Sequence, residues 1–227
     1  MKRLICIALV ILFCLGVTAC GSEKKGAPNY SASPEDNTPT SKRFFLKSKG
    51  VDAEIAVPQM KENDKVNEAI DTFIKDYFKD TYGVTGLSLK DTDDKSAKTL
   101  TIVSNYRLTR QDDEYFSAEF SGNASGNTNG APSHFSFGIV VDVKNKKLAD
   151  MGEKYDITGT ETQTMIVKNR TDYILRGYDP NMFTAEVLSR TLKKPVSYYL
   201  TNLKLGVILS DTYDYITLEI PLEDLDK

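Results

Sequence analysis

One histidine, His134, and three cysteines, Cys6, Cys14 and Cys20, are the whole supply of imidazole and thiol in this 227-residue sequence. Serine and cysteine nucleophiles are activated by a neighbouring histidine, and histidine-based zinc centres need several such ligands. With one imidazole at a loop–strand junction these mechanisms lack parts, so His134 is expected to be structural or simply exposed, and enters only as a candidate contact. Carboxylates are plentiful, with 32 acidic residues. A glycosidase needs two carboxyls about 5–10 Å apart. Glu114, Glu119, Asp211 and Asp214 are candidates, although so acidic a chain always offers some pair. The stretch from Asp91 to Lys95 imitates the start of a calcium loop, but an EF-hand requires glycine at its sixth place and glutamate at its twelfth. Those places hold Ser96 and Ile102, so no metal is expected. The glycine-rich stretch 121–132 lacks the Lys-Ser/Thr and following helix of a phosphate loop; it reads as a mobile or partner-contacting loop.

Cys20 stands apart. It ends Val17-Thr18-Ala19-Cys20, behind Met1-Lys2-Arg3 and an apolar run from Leu4 to Val17. A run of roughly 14 residues suits a secretory signal and is short for a membrane span of about 20. The order of basic start, apolar run, small residues and cysteine resembles a bacterial lipoprotein signal with its lipobox. On that resemblance residues 1–19 are removed, Cys20 carries lipid, and the mature chain lies outside the cytoplasm with no thiol left for a disulfide. About 180 folded residues can do without one, because a domain of that size buries roughly 70% of its unfolded surface. Loss of Lys2 and Arg3 takes the formal charge from −3 to −5. A mildly acidic chain is a poor candidate for nucleic acid, which usually shows as a basic patch or a domain of high pI.

The remaining elements must position whatever surface functions. Residues 20–43 are rich in Gly, Ser, Pro, Asn and charge, which predicts a flexible tether. From Phe44 the pattern alternates, and 51–57 reads as a strand ended by Pro58. Val66, Ile70, Phe73, Ile74, Tyr77 and Phe78 line one face of a helix, capped by Asn63 or Asp64 and ended at Gly83. Strands are expected at 99–109, 114–121 and 135–143, with a tight connection at Gln111-Asp112-Asp113. Thr160 with Gln163 suggests a capping box opening a helix that runs through Ile174 to Gly177. Asp179-Pro180 opens a second, short helix ending before Pro195. Strands at 196–200, 203–209 and 216–220 close the chain. The fold class is α+β, with antiparallel sheets and two or three packing helices, divided as 44–143 and 144–227 but forming one compact unit.

This order, with IVSNYRLTRQDDEYFSAEFSGN, FGIVVDVKNKKLADM, SYYLTNLKLGVILSDTYDY and ITLEIPLEDL as they stand here, resembles the PdaC/SigV-like (DUF4163) and DUF3298 domains of bacterial surface proteins. Those domains also form the outer part of the lysozyme-sensing anti-sigma factor RsiV. Family members often carry Gly-Gly-Ala-His before the third strand. Here Asn129-Gly130-Ala131 is followed by Pro132, with His134 two places later. The turn Asp142-Val143-Lys144-Asn145-Lys146-Lys147-Leu148 is similar to the family's Asp-x-Lys-x-Gly-Lys-x-Leu. The resemblance implies an extracytoplasmic binding domain, with a lysozyme-like protein as its sharpest partner.

The expected function is a binding module, held to the membrane through lipid on Cys20, for an envelope protein or peptidoglycan. Asn129, His134, Tyr213 and Tyr215 are its candidate contacts. No cofactor and no nucleic acid are expected. A carboxylate-dependent wall-glycan hydrolase and a structural subunit of an envelope complex are the alternatives.

Overall fold

The computed structural model describes residues 40–48, 50–90, 97–176, 184–193, 197–210 and 215–226. Cys20, Tyr213, the acidic stretch 91–96 and the start signal Asp179-Pro180 lie outside the described residues.

The first sheet begins with an antiparallel pair, β1 (Thr40–Ser48) and β2 (Val51–Gln59). β1 starts four residues inside the stretch expected to be tether, because Thr40 to Arg43 pair with Ala56 to Gln59. β2 runs through Pro58 instead of stopping there. Its pairing with the next strand ends at Ile55, so the donor that proline lacks is not needed on that side.

Helix α1 (Asp64–Tyr82) follows, buried through Val66, Ile70, Ile74, Phe78 and Tyr82. Asn63 Oδ1 accepts from the Val66 N–H at 3.3 Å, and Gly83 closes the helix in the left-handed region, as the spacing predicts. The helix carries the chain across the sheet, so β3 (Leu100–Gln111) joins β2 in parallel. That one parallel pair departs from an all-antiparallel expectation, and the crossover is its cause.

β3, β4 (Tyr115–Gly126), β5 (His134–Asp142) and β6 (Lys147–Leu148) then form an antiparallel meander, giving six strands in order. Asp112 organises the β3–β4 turn: its Oδ1 accepts from the Glu114 and Tyr115 N–H groups, and its Oδ2 from Arg110 Nε. β4 runs five residues beyond its expected end. Gly122 was read as loop-forming, yet it pairs with Ser104 and Phe135 inside the strand, and glycine is needed there because a Cβ would collide with the Phe135 ring and the Val103 carbonyl. Phe135 and Phe137 meet α1 across a ring cluster in which Phe78 lies edge-on to Phe135 at 5.5 Å and Phe120 stacks on Phe137 at 4.8 Å. With Ile55, Ile102 and Phe116 they make the first core.

The second layer is a four-stranded antiparallel sheet in the order β7 (Ile174–Arg176), β10 (Tyr215–Pro221), β9 (Lys204–Ser210), β8 (Ser197–Leu200). Leu205, Val207, Leu209, Ile216, Leu218 and Ile220 pack with short helices around Ile166 and Leu188 to form a second core. Those helices are α2 (Met151–Lys154), α3 (Thr160–Lys168), α4 (Arg170–Tyr173) and α5 (Ala185–Thr191), with α6 (Leu222–Leu225) at the end. The expected helix through Ile174 stops early, since Ile174 pairs with Leu218 as a strand. Its N-cap is Gly159, without the expected Thr160 side-chain bond. The α+β class stands. Among the described residues no helix is long and apolar enough to cross a membrane.

The sheets meet at β8. Ser117 Oγ, fully buried on β4, accepts from the Leu200 N–H (2.8 Å) and the Thr109 hydroxyl (2.9 Å) and donates to the Ile139 carbonyl (3.0 Å). A hydroxyl has one donor and two acceptor sites, and all three are used. Beside it the Gly138 N–H donates to Ser197 Oγ at 2.8 Å, and a Cβ on Gly138 would collide with the Tyr198 backbone.

Ser117→Ala strands the buried Leu200 N–H. It should lower unfolding stability by about 1–3 kcal/mol in a urea titration with unchanged slope; a loss of only a few tenths would show that the seam does not depend on this hydroxyl.

Candidate functional site

Alternation along the strands sends one set of side chains of the first sheet into the core under α1 and the other set to the opposite face. The second sheet covers the end of that outer face around Ser117 and Gly138. Among the described residues no element covers the remainder.

Register places its residues in rows. Phe45, Glu54, Val103, Asn123 and His134 lie side by side across β1 to β5. The next row toward the seam holds Asn105, Ser121 and Ser136, and Thr101 pairs with Ser125 on the other side. Asn105, Ser121, Asn123, Ser125, Thr101 and His134 are exposed. Val103, 45% exposed, is the one aliphatic group in the centre. His134 Nδ1 lies 2.5 Å from Asn123 Oδ1, which fixes the two side chains against each other. Arg43 and Glu54 form an ion pair at the β1–β2 border.

A second charged group closes the border toward the seam. Arg107 on β3 donates from Nε and Nη2 to Glu119 Oε2, at 3.2 and 2.9 Å, and its Nη2 lies 3.8 Å from Glu219 Oε1 on β10. Glu219 also accepts from the Tyr199 hydroxyl at 2.8 Å and pairs with Lys204 at 3.4 Å. Glu119 is only 3% exposed, whereas Arg107 reaches water. Partial burial opposes the charge on Arg107, but the hydrogen bond and proximity of Glu119 outweigh it and hold the guanidinium more firmly protonated than usual. Burial followed by the Glu219 hydrogen bond pushes the Tyr199 phenol well up. Both carboxylates therefore sit on a common cation, an arrangement that ties the two sheets together.

The candidate residues fall in different places. His134 lies on the open face. Asn129, in the left-handed region at φ 52°, sits in the β4–β5 loop, which the Tyr82 hydroxyl fastens by donating to the Pro132 carbonyl at 2.8 Å. Tyr215 does not join them: it packs on the first core and neighbours Tyr77, and burial raises its phenol above the ordinary range. Among the carboxylates weighed for catalysis, Glu114 is a half-exposed partner of Arg110, and Asp211 and Asp214 lie outside the described residues. The acidic residue brought close to Glu119 is Glu219, 100 positions away in the chain, and no sequence spacing marks it. Concave surfaces among the described residues lie elsewhere, one of them a groove of about 740 Å³ between α1 and the β5–β6 turn, past Phe73 and Leu148. Among the described residues no cluster of three His, Cys, Asp or Glu could hold a metal ion.

No family model matches this chain, and no curated protein matches it. Two of the solved structures to which it is similar are DUF3298 family proteins. One is from Pseudomonas aeruginosa PAO1, at 11% identity and a TM-score of 0.45, covering 84% of this chain and 91% of that one. Another is from Bacteroides fragilis NCTC 9343, at 10% identity and a TM-score of 0.47, with the same two coverages.

Arg107→Ala removes the cation from beside the buried Glu119. Water already screens the exposed side of Arg107, so the cost should be about 1–3 kcal/mol. Adding Glu119→Gln should recover part of it in chemical denaturation. A double variant no more stable than Arg107→Ala would contradict the pairing.

Proposed function

We propose that this chain is a lipid-anchored extracytoplasmic binding module that offers the open face of its first sheet to a component of the bacterial cell envelope. The observation that carries this reading is the uncovered register of Asn105, Ser121, Asn123, Ser125 and His134. These side chains stand on hydrogen-bonded strands backed by a packed aromatic core, so little order has to be gained when a partner arrives. The lipobox ending at Cys20 supports the address. A wall glycan and an envelope protein of lysozyme type are the partners the resemblance and the location favour.

The hydrolase alternative has weaker support. Glu119 and Glu219 come within reach of one guanidinium, but ion pairs to Arg107 and Lys204 occupy the groups that would have to move protons.

The test is titration of residues 37–227 with peptidoglycan fragments and with lysozymes, each repeated with Asn123→Arg. Binding that weakens at least about tenfold, a loss of 1.4 kcal/mol or more, supports the face as the contact. Absence of binding to either class up to millimolar concentration would overturn the proposal.

A further inference from the structure

The tip of the β4–β5 loop reads Thr128-Asn129-Gly130-Ala131. It folds as a β-turn: the Ala131 N–H donates to the Thr128 carbonyl at 3.0 Å, and the two central residues have φ of 52° and 84°. Positive φ at both places marks a type I′ turn, which asparagine followed by glycine fits best. The base of the loop is fastened by the Asn127 N–H to the Thr99 carbonyl, the Ala124 N–H to the Ser133 carbonyl and the Tyr82 hydroxyl to the Pro132 carbonyl. Beyond Thr128 the tip is held only by its turn bond and by the Asn129 N–H, which donates to Asn127 Oδ1 at 3.2 Å. A tip with so few bonds opens at low cost.

Asn129 and Gly130 are both exposed. Among the described residues, none makes a hydrogen bond to the Asn129 side chain or to the Gly130 N–H. No other described asparagine has both groups free in a segment able to turn. Asn67, Asn145 and Asn169 donate from their amide nitrogens to the Met60 carbonyl, Asp142 and Tyr173. Asn63 Oδ1 caps α1, and Asn123 Oδ1 is held by His134. Asn105 stands inside β3, where pairing with β4 fixes its backbone. Asn127 and Asn202 are followed by N–H groups that already donate, from Thr128 to the Gly126 carbonyl and from Leu203 to Thr201 Oγ1.

A side-chain amide beside an unhindered backbone nitrogen can cyclise on it. The Gly130 nitrogen attacks Asn129 Cγ: the N–Cγ bond forms and the Cγ–Nδ2 bond breaks. The proton lost by the Gly130 nitrogen passes through water to the departing group, which leaves as ammonia. Water then opens the five-membered imide at one of its two carbonyls. Cleavage at Cγ yields aspartate; cleavage at the main-chain carbonyl yields isoaspartate, with the chain now running through Cγ. Water is the only co-reactant. Closure requires rotation about the Asn129 Cα–C bond, which breaks the one turn bond. Glycine opposes that rotation least, and nothing lies within 4 Å of where a Cβ on Gly130 would stand.

We infer that Asn129-Gly130 is a site of spontaneous covalent modification, at which the folded chain converts its own asparagine to isoaspartate and aspartate. Each product adds a negative charge to the β4–β5 loop, and isoaspartate also lengthens the backbone by one carbon. The anchors at Thr99, Ser133 and Pro132 confine the change to the tip, so β4 and β5 keep their register. The inference does not depend on what the open face binds.

The experiment incubates the purified full chain at physiological temperature in neutral buffer, beside a sample unfolded in urea and beside Asn129→Gln. Peptide mass mapping follows the change from amide to acid at every asparagine, and labelling by isoaspartyl methyltransferase reports the rearranged backbone. The folded chain should convert Asn129 at least about tenfold faster than Asn127 or Asn202, a barrier lower by about 1.4 kcal/mol or more, with isoaspartate among the products. Asn129→Gln, whose longer side chain has to close a six-membered ring, should abolish the fast conversion and leave the unfolding midpoint unchanged. A folded chain in which Asn129 stays intact overturns the inference, and conversion in the urea sample alone would show the turn to be what protects it. Conversion no faster than at Asn127, fast conversion that survives Asn129→Gln, or acid without isoaspartate, the mark of direct hydrolysis, would each overturn it as well.

Discussion

The contact on which the rest of the molecule depends is the meeting of the two sheets at Ser117. A single hydroxyl satisfies the Leu200 N–H from the second sheet, the Thr109 side chain and the Ile139 carbonyl. Gly138, with no Cβ, lets the β8 backbone come against β5. Burial of β8 over one end of the first sheet follows, and so does the division into two cores, one under α1 and one under the short helices. An unsatisfied backbone donor at such a seam would cost more than a typical hydrogen bond contributes net, so this hydroxyl helps to hold the second sheet at its place over the first.

That extent decides what remains exposed. α1 takes the inner face of the first sheet and β8 takes one end of the outer face; the rows through Asn105 and Asn123 are left to water. The Arg107, Glu119 and Glu219 cluster marks the border between covered and open regions. It pairs its charges with one another, and the rows beside it through Asn105 and Asn123 carry mostly uncharged polar side chains. The chemistry of the outer face follows from where the sheets stop.

How far the sequence led varied with the kind of signal each element carries. α1 was legible to its caps, because six apolar residues at helical spacing sit between Asn63 and Gly83. β1 was legible only from Phe44, since Thr40 to Arg43 hold their strand by backbone pairing and leave no apolar pattern to read. The last turns of β4 were read as loop because Gly122 and its neighbours look like turn formers. The need for a small residue under Phe135 appears only when β5 is in place. Ile174 fitted a helical period and was taken by β10. For the site, His134 was singled out for its rarity, while Asn105, Asn123 and Ser121 are common residues whose alignment is a property of register. Tyr215 was chosen as rigid aromatic area at a sheet end, with ordinary packing as its other reading, and it stands half-buried against the first core. Glu219 carried no local mark at all.

The central claim is that the open face, and not α1, meets the envelope. Under the proposed removal of residues 1–19 and acylation of Cys20 no other thiol would remain, so single cysteines can report on each face in cells. Asn105→Cys, Asn123→Cys and Ser125→Cys probe the open face; Glu68→Cys and Asp80→Cys probe the exposed side of α1. The measurement compares maleimide labelling rates in intact envelopes with those of the purified protein. The account predicts selective protection at Asn105, Asn123 and Ser125 in envelopes, with Glu68 and Asp80 unchanged. Equal labelling of all five, or protection confined to the helix, would contradict it.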